Sequence, residues 1–514
     1  MEIKTHRSLG VVLGSWLAVL ALLIAGCQGE RYYAAENFAN VREVQAKEHC
    51  DRAELYAIRS EYEPAIEAFN EAIEAEPNYA RAHYGLGTLY AELKRYDEAI
   101  DALQQAIRLK PDYAEAYHNL GAACANSGRP DEGVAAFKQA IELKPDYAEA
   151  YENLGTAYLS SERFGDAIEA FEQAIRIDPG LAGSVNPNLA GAYNNLGAEL
   201  HKLRRHDKAI EAYRQAIRND PDYAPAYGNL GQACLIRGRY TEALEAYEQA
   251  ISRRPNEAHL YRGIGQAYRG LKLYGKSEEA IQKSIRLRPN NKGAYIELGR
   301  TYVQWERYDD AEQTFKKLLR LYPDDRAAYV ELGRTYMAAN REEEAEQTFA
   351  ELIEIDPNNA STYTSIGSIY NQYYYRPEKA VEMFGCAIRL KPDYGPAYIF
   401  LGAALTDLER YPEAVEVLEK AIRLDPNDSW AYINLAVTLG NMGQHDRAVE
   451  TLKKALLIDP DNPTIHNNLG IEYLSIGDRA SALAEHEALK KLDPERADRL
   501  RSRIEAGPRA IQED

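Results

Sequence analysis

The chain has 514 residues, of which 45% are hydrophobic, so it is long and apolar enough to bury a sizeable core. Its formal net charge of −19 argues against nucleic acid and anionic membrane surfaces as general partners, because both repel a surplus of carboxylates. Tyrosine stands out: 38 Tyr against 9 Phe and 3 Trp indicates that one structural position is filled many times by the same residue.

Residues 1–26 have the pattern of an export signal. Lys4 and Arg7 precede an uncharged run from Leu9 to Gly26 that ends in small residues. The sequence IAGC at residues 24–27 resembles the lipobox of bacterial lipoproteins, in which the signal is removed before a lipidated cysteine. We therefore expect a mature chain that begins at Cys27 and is held at a membrane by acyl chains. The alternative is an uncleaved transmembrane helix, because about 18 apolar residues just reach spanning length; both alternatives place the remainder outside the cytoplasm.

Residues 27–45 are predicted to be a tether and N-terminal cap. The other cysteines, Cys50, Cys124, Cys234 and Cys386, match no metal-binding or CxxC spacing and are interpreted as small buried residues.

Prolines recur with a period near 34 residues in the rest of the chain. The step is 34 except for 42 between Pro179 and Pro221 and 35 between Pro357 and Pro392; the long step holds eight extra residues, after which Pro187 restores the register. A fixed period of this length indicates a repeat architecture. The closing prolines are at positions 77, 111, 145, 179, 221, 255, 289, 323, 357, 392, 426, 460 and 494.

Each period is predicted to contain two amphipathic helices. Counted from the preceding proline, offset 6 is mostly Tyr, offset 9 Leu or Ile and offset 10 nearly always Gly, as in Tyr117 and Leu120-Gly121. These offsets and offset 13 lie on one face of a first helix, whereas offsets 22, 26 and 29 carry apolar residues on one face of a second helix. The closing proline ends the second helix. No single pair could bury its apolar face alone, so the pairs must stack.

This pattern resembles the tetratricopeptide repeat, with Tyr where that family often has Trp. The resemblance covers thirteen helix-turn-helix units over residues 46–496, with an eight-residue insertion at 180–187, and is followed by a capping helix and tail at 497–514. It implies an all-α, right-handed superhelical solenoid whose first helices line the concave side. The end units depart from the pattern: the first has Arg52-Ala53 in place of Leu-Gly, and the last has His466 and His486 at core offsets.

No motif of an active site occurs in the sequence. We find no Walker loop, no GxGxxG on a βαβ unit, no HExxH and no GxSxG, and the ten histidines lack ligand spacing. We therefore expect no enzyme activity, no metal and no small-molecule cofactor.

The free face of the first helix is the candidate binding surface. A helical wheel puts offsets 4, 7, 8, 11 and 15 opposite the packed stripe, and the resemblance places this face in the concave groove. Offset 7 varies between repeats, for example His118, Glu152 and Arg262. We expect this position to be free of packing and able to select a partner.

Offset 8 is Asn in six repeats. An amide offers donors and an acceptor that match the main chain of an extended peptide, and the pattern is similar to the asparagine ladder of the O-GlcNAc transferase superhelix. The alternative is that Asn is simply common at this offset in the family. The asparagines are Asn119, Asn153, Asn195, Asn229, Asn434 and Asn468.

A second set on this face is basic, and we expect it to bind acidic side chains or a C-terminal carboxylate. The alternative is that neighbouring acidic side chains neutralise it. Because no repeat has Asn at offset 11, the carboxylate clamp for chaperone tails is not predicted. The set consists of Gln232, Gln266, Arg300 and Arg334 at offset 11, with Arg262 and Arg269 nearby.

The sequence therefore predicts an exported, lipid-anchored scaffold that binds protein or peptide segments in its groove and assembles an envelope complex. It resembles the tetratricopeptide lipoproteins that serve pilus biogenesis, outer-membrane assembly or secretion. We expect it on the outer membrane, facing the periplasm, if the source is Gram-negative. The alternative function is a guide or carrier for polysaccharide export.

Overall fold

The computed structural model describes residues 28–373 and 376–506, and these form two compact halves that divide after Pro255. The predicted signal segment and Cys27 lie outside the described residues, as does the tail after residue 506. Throughout the described ranges the regular structure is helical, with no β-strand. No helix in these ranges is both long and apolar enough to span a membrane.

The helices are numbered in chain order within the described residues. The N-terminal half contains α1 (Gln28–Ile58), α2 (Tyr62–Ala75), α3 (Ala80–Glu92), α4 (Tyr96–Leu109), α5 (Ala114–Asn126), α6 (Pro130–Leu143), α7 (Ala148–Ser160), α8 (Phe164–Ile177), α9 (Ala182–Lys202), α10 (His206–Asn219), α11 (Ala224–Ile236) and α12 (Tyr240–Arg253). The C-terminal half contains α13 (Ala258–Gly270), α14 (Tyr274–Leu287), α15 (Lys292–Gln304), α16 (Tyr308–Leu321), α17 (Arg326–Ala338), α18 (Glu342–Ile355), α19 (Ala360–Tyr373), α20 (Pro377–Leu390), α21 (Gly395–Asp407), α22 (Tyr411–Leu424), α23 (Ser429–Asn441), α24 (His445–Ile458), α25 (Pro463–Ser475), α26 (Arg479–Leu492) and α27 (Pro494–Ala506).

The predicted all-α stack of helix-turn-helix repeats is confirmed. Odd-numbered helices up to α25 are the first helices of repeats 1–13 and even-numbered helices are the second helices. Within each half, a helix packs against the next helix in the chain, and consecutive first helices also touch. Repeats 1–6 form the N-terminal half, and repeats 7–13 with α27 form the C-terminal half.

The turns inside the repeats, apart from that of repeat 10, are closed in the same way. One residue takes a left-handed conformation at offset 17, such as Gly128 (φ 82°) or Lys94 (φ 59°). The following N–H then reaches back to the first helix, as where Arg95 N donates to Tyr90 O at 2.8 Å. The Arg95 guanidinium also lies 4.4 Å from the centre of the Tyr90 ring. Offset-13 tyrosine and offset-18 arginine thus brace one turn together.

A glycine at offset 10 lets the two helices of a repeat approach closely. The second helix presents a large side chain at offset 26, and its ring occupies the space where a glycine side chain would stand. A Cβ added to Gly155 would lie 2.7 Å from the ring of Phe171, and a Cβ on Gly121 would lie 2.7 Å from Phe137. Both rings are almost fully buried. This contact explains why offset 10 resists substitution along the array.

Gly155→Ala is expected to destabilise the protein by roughly 1–3 kcal/mol, because the added methyl group overlaps Phe171 and the core cannot yield. Gly165→Ala in the same repeat is the matched control, since its Cβ would meet nothing within 4 Å. Urea unfolding should show a loss for the first variant and no loss for the second. Equal effects would mean that the close approach at offset 10 does not limit stability.

Tyrosines at offset 6 make a second contact that recurs in several repeats. In Tyr227, Tyr363, Tyr398 and Tyr432 the hydroxyl donates to the carbonyl of the closing proline six residues earlier, at 3.1 Å from Tyr363 to Pro357 O. His466 replaces this tyrosine in repeat 13, with Nε2 2.9 Å from Pro460 O and Nδ1 2.6 Å from Glu485 Oε2. Both ring nitrogens face acceptors, so the doubly protonated ring fits best. The hydrogen bond to Glu485 accordingly raises the pKa of His466 against the opposing effect of burial.

The free energy of unfolding of repeat 13 is expected to fall as the pH rises through the raised pKa of His466. The charged ring stabilises the folded state fully below the ordinary histidine value of about 6.5, and this contribution is lost above the folded-state pKa. Urea unfolding at several pH values, with NMR titration of the ring, measures the effect. His466→Tyr, which restores the tyrosine of other repeats, should remove it; a slope that persists in that variant would belong to another group.

The ends of the array and the insertion are also helical. Residues 28–45 continue into the first helix of repeat 1 as α1, and Ala497, Leu500 and Ile504 of α27 are buried. The extra residues of repeat 5 form a 3₁₀ turn at Pro179–Leu181 and lengthen α9 to 21 residues, with Pro187 inside the helix.

Candidate functional site: the face formed by the first helices

Consecutive first helices touch along a fixed register. The side chain at offset 8 meets offset 7 or 11 of the preceding repeat, as where Asn229 Nδ2 donates to Asn194 Oδ1 at 2.9 Å. Arg300 and Glu331 show the same register in the C-terminal half, with Nη2 2.5 Å from Oε1. We call this side of the stack, offsets 4, 7, 8, 11 and 15, the first-helix face.

The prediction that offset 7 is free of packing is wrong. Asn194, Ile399 and Ile433 are only 7%, 8% and 2% exposed. A wheel drawn for one helix leaves out the first helix of the next repeat, which covers this position. Where offset 7 is buried, its variation is therefore matched to the neighbouring repeat rather than directed at a partner.

His118 shows this matching in the N-terminal half. Its ring centre lies 4.9 Å from that of Tyr147, and its Nε2 lies 2.8 Å from Asn153 Nδ2. Nε2 must then accept, which leaves the proton on Nδ1, 3.2 Å from Asn119 Oδ1. Burial lowers the pKa of His118, which favours this neutral form.

The offset-8 asparagines of repeats 3, 4 and 6 first serve contacts within the chain. Asn119 uses both amide protons, on Tyr84 Oη at 3.2 Å and Thr88 Oγ1 at 3.0 Å. Asn153 and Asn229 each donate one proton, and within the described residues their carbonyl oxygens accept no hydrogen bond. These half-buried oxygens keep the capacity to accept an N–H from a bound main chain.

The remaining asparagines are less constrained. Asn195 is exposed, with only a long contact of 3.4 Å from Asn194 Nδ2 to its carbonyl oxygen. Asn468 receives a similar contact from Asn467 at 3.3 Å. Asn434 is half-buried, and within the described residues its side chain makes no hydrogen bond. The predicted set is thus divided, with four asparagines in the N-terminal half and two in the C-terminal half.

The predicted arginines form an alternating charge ladder with two glutamates. Arg269 Nη1 lies 2.7 Å from Glu297 Oε2, in an ion pair whose angle leaves both atoms without a well-directed hydrogen bond. Arg300 lies between Glu297 and Glu331, at 3.3 and 2.5 Å. Arg334 Nη1 reaches Glu331 only at 3.4 Å. The structure therefore brings Arg269, Arg300 and Arg334 together but pairs them within the chain, in agreement with the neutralised alternative.

The ladder nevertheless presents positive charge to solvent. The side chains of Glu297 and Glu331 are only 9% and 5% exposed, whereas those of Arg300 and Arg334 are 42% and 32% exposed. The carboxylates thus lie beneath the guanidinium groups. Burial lowers the pKa of Arg300, but the hydrogen bond and charge of Glu331 outweigh this and raise it. Three arginines over two carboxylates leave one surplus positive charge.

Glu297 and Glu331 were not among the site residues predicted from the sequence. Both occupy offset 8, where other repeats have Asn, so the exchange of amide for carboxylate beside an offset-11 arginine was the available signal. A buried carboxylate is rarely found without a partner. That rule would have predicted the pairs.

The other predicted residues lie on the same face with weaker contacts. Gln232 is exposed and accepts a 3.4 Å contact from Tyr247 Oη. Gln266 and Arg262 are half-buried, and Arg262 makes no ion pair with any described residue. Arg262 Nη1 instead fills the space where a side chain on Gly293 would lie.

The first-helix face becomes apolar toward the C-terminal end. Phe400 and Val437 occupy offsets 8 and 11 and are 43% and 39% exposed, and Trp430 at offset 4 is 48% exposed. The ring of Phe400 stacks on buried Phe384, with centres 5.9 Å apart and an angle of 17°. Phe400 is therefore held in place by the core while one side faces solvent.

Three of the four cysteines in the described residues lie in unreactive surroundings. Cys50, Cys124 and Cys234 are buried as predicted, whereas Cys386 is partly exposed. Burial raises the pKa of Cys50 to about 12 and that of Cys234 to about 11, which keeps both thiols protonated. Within residues 28–373 and 376–506, no group of three or more His, Cys, Asp or Glu side chains is placed to hold a metal ion.

This geometry defines a helical-repeat protein in which each half has a contact face built from its first helices. Tetratricopeptide-repeat family models match residues 53–94, 89–128, 112–180, 376–429 and 405–470. The model of the C-terminal domain of cilia and flagella-associated protein 70, also a tetratricopeptide domain, matches residues 180–393. The chain belongs to the tetratricopeptide repeat proteins.

Solved structures with similar folds share little sequence. Yeast Tom70 is 19% identical, covering 83% of this chain and 100% of its own, with a TM-score of 0.41. Naa15/Naa10 bound to HypK-THB is 16% identical, and the match covers 86% of this chain and 68% of that one, with a TM-score of 0.40. MamA protein is 27% identical, and the match covers 35% of this chain and 94% of that one, with a TM-score of 0.30. No curated protein sequence matches the chain significantly.

Arg300→Ala is expected to destabilise repeats 8 and 9 by roughly 1–3 kcal/mol, because it leaves the buried Glu331 carboxylate with only its long contact to Arg334. Changing both partners, Arg300→Gln with Glu331→Gln, should cost less, since no carboxylate is then left buried without a partner. Native-state hydrogen exchange in α15 and α17 measures the opening free energies. A double variant as unstable as the single one would show that the pair is not energetically coupled.

Proposed function

We propose that this tetratricopeptide repeat protein is an exported, lipid-anchored scaffold that binds segments of protein partners along its first-helix face and assembles an envelope complex. One observation carries the binding part of the proposal. In each half the first-helix face keeps capacity that the chain's own packing does not use: acceptor oxygens on Asn153 and Asn229 in the N-terminal half, and the exposed guanidinium of Arg334 and ring of Phe400 in the C-terminal half.

A protein segment suits this surface better than a small molecule. Within each half the unused groups are spread over several repeats, and each is partly exposed. An extended chain engages such a row one repeat at a time, through main-chain N–H groups at the asparagines and side chains elsewhere.

The anchor is supported by the sequence IAGC at residues 24–27 after a single uncharged run. Two or three acyl chains hold a protein at a membrane without a spanning helix. The anchor would place the repeats at an envelope surface, where a scaffold of this length meets several partners.

Cys27→Ala is expected to abolish incorporation of labelled fatty acid and to release the protein from the membrane fraction. The Cys27 thiol is the atom that lipidation would modify, so the variant has no acceptor. Cys50→Ala is the control, because that buried thiol should not be labelled. A native N-terminus at Met1, or label retained in Cys27→Ala, would contradict the anchor.

A photoreactive residue placed at Gln232 on the first-helix face is expected to cross-link a protein partner in intact cells. The control position is Glu248, which is exposed on the second helix of the same repeat. Products should form at Gln232 and be absent, or several-fold weaker, at Glu248. Equal labelling at the two positions would argue against binding along this face.

A further inference from the structure

The C-terminal half carries two chemically different surfaces on one first-helix face. Repeats 7–9 hold the ladder of Arg269, Arg300 and Arg334 above Glu297 and Glu331. Repeats 11 and 12 hold the apolar patch, which we define as Phe400, Trp430 and Val437. The two surfaces lie in the same compact half, separated along the stack by repeat 10.

Charge on the ladder favours a carboxylate ligand. The two glutamates are buried beneath the arginines, so a ligand would meet guanidinium groups rather than carboxylates. Arg334 has the most unused capacity, because its ion-pair contact to Glu331 is long, at 3.4 Å, and its side chain is 32% exposed. Arg262 adds a fourth arginine that makes no ion pair with the described residues. Guanidinium groups bind carboxylates through paired N–H donors.

Repeat 10 lies between the charge ladder and the apolar patch, and its first-helix face is lined by small side chains that carry hydroxyl groups. Ser361, Ser365 and Ser368 occupy offsets 4, 8 and 11. Ser365 and Ser368 donate their protons to carbonyls of their own helix, at 2.9 Å each. Their oxygens keep lone pairs that can accept from main-chain N–H groups, and their small size lets a main chain lie close.

The apolar patch is pre-organised. Phe400 rests on the buried ring of Phe384, so it loses little freedom on binding. Trp430 and Val437 of the next repeat are 48% and 39% exposed and add apolar surface to the same face. Aromatic groups of this kind dominate binding energy at protein interfaces.

We propose that the C-terminal half binds an extended peptide segment of another protein that carries Asp or Glu at one end and aromatic or large aliphatic side chains at the other. The carboxylates pair with Arg334 and its neighbours, and the apolar side chains cover Phe400, Trp430 and Val437. This inference rests on the proposed function, because it specifies the segment bound by the first-helix face.

The distance between the surfaces fixes the spacing in the ligand. Arg334 and Phe400 lie on α17 and α21, two first helices apart. Packed helix axes are about 8–10 Å apart, which gives roughly 16–20 Å. An extended chain advances about 3.3 Å per residue, so about five or six residues separate the acidic and apolar groups.

The test is selection of random 12-residue displayed peptides on the purified full chain. Enriched peptides are expected to combine Asp or Glu with an aromatic or large aliphatic residue about five or six positions away. Synthetic peptides of the enriched sequences are then titrated by fluorescence anisotropy. Arg334→Gln and Phe400→Ser should each weaken binding at least tenfold, and 0.5 M salt should weaken binding to the unchanged chain more than to Arg334→Gln.

Glu248→Ala, exposed on the second helix of repeat 6, is the matched control and should leave these affinities unchanged, whereas Gln232→Ala tests whether the peptides bind the N-terminal half instead. Circular dichroism melting of all variants confirms that the fold is intact; Arg334 and Phe400 are chosen because each is substantially exposed. Peptides that lack the acidic and apolar pair, or that bind Arg334→Gln and Phe400→Ser undiminished but are weakened by Gln232→Ala, overturn this inference while leaving binding by the first-helix face in place. Enrichment of no peptide over a blank surface overturns both proposals.

Discussion

The close contact between the offset-10 glycine and the offset-26 side chain sets the geometry on which the rest of the array depends. Because the Phe171 ring occupies the space beside Gly155, the two helices of repeat 4 meet at one separation. Gly121 and Phe137 repeat the same contact in repeat 3. A regular separation within repeats allows a regular register between them, and only then can side chains on successive first helices meet in ladders.

The first-helix face is consequently a structural surface before it is a binding surface. His118 with Asn153, Asn194 with Asn229, and Arg300 with Glu331 each join one repeat to the next. Such polar pairs stabilise one order of the repeats along the stack. If two repeats were exchanged, an amide would face a carboxylate, or a carboxylate would be buried without a partner. Contacts that hold the stack in order leave only the exposed atoms of the same side chains for ligands.

Most of the fold was predictable from the sequence, because proline, glycine and tyrosine act locally. The closing prolines end helices, and the period of 34 residues repeats the same pair of amphipathic faces. The state of the candidate site was harder to predict. Burial of Ile433 and the pairing of Arg300 depend on the helix supplied by the following repeat, and a wheel for one helix contains no neighbour. The carboxylate that raises the pKa of His466 likewise comes from another helix, α26.

The long first helix of repeat 5 has a consequence for how a ligand could be aligned. A uniform array offers the same contacts in every repeat, so an extended ligand could bind in many registers, each shifted by one repeat. Helix α9 has 21 residues, against 13 in α7 and in α11, and eight more residues add about 12 Å of helix. This added length, with Pro187 inside it, breaks the translational symmetry of the N-terminal half. Because repeat 5 differs from its neighbours, a ligand that lies across it has one binding register that differs from all the others.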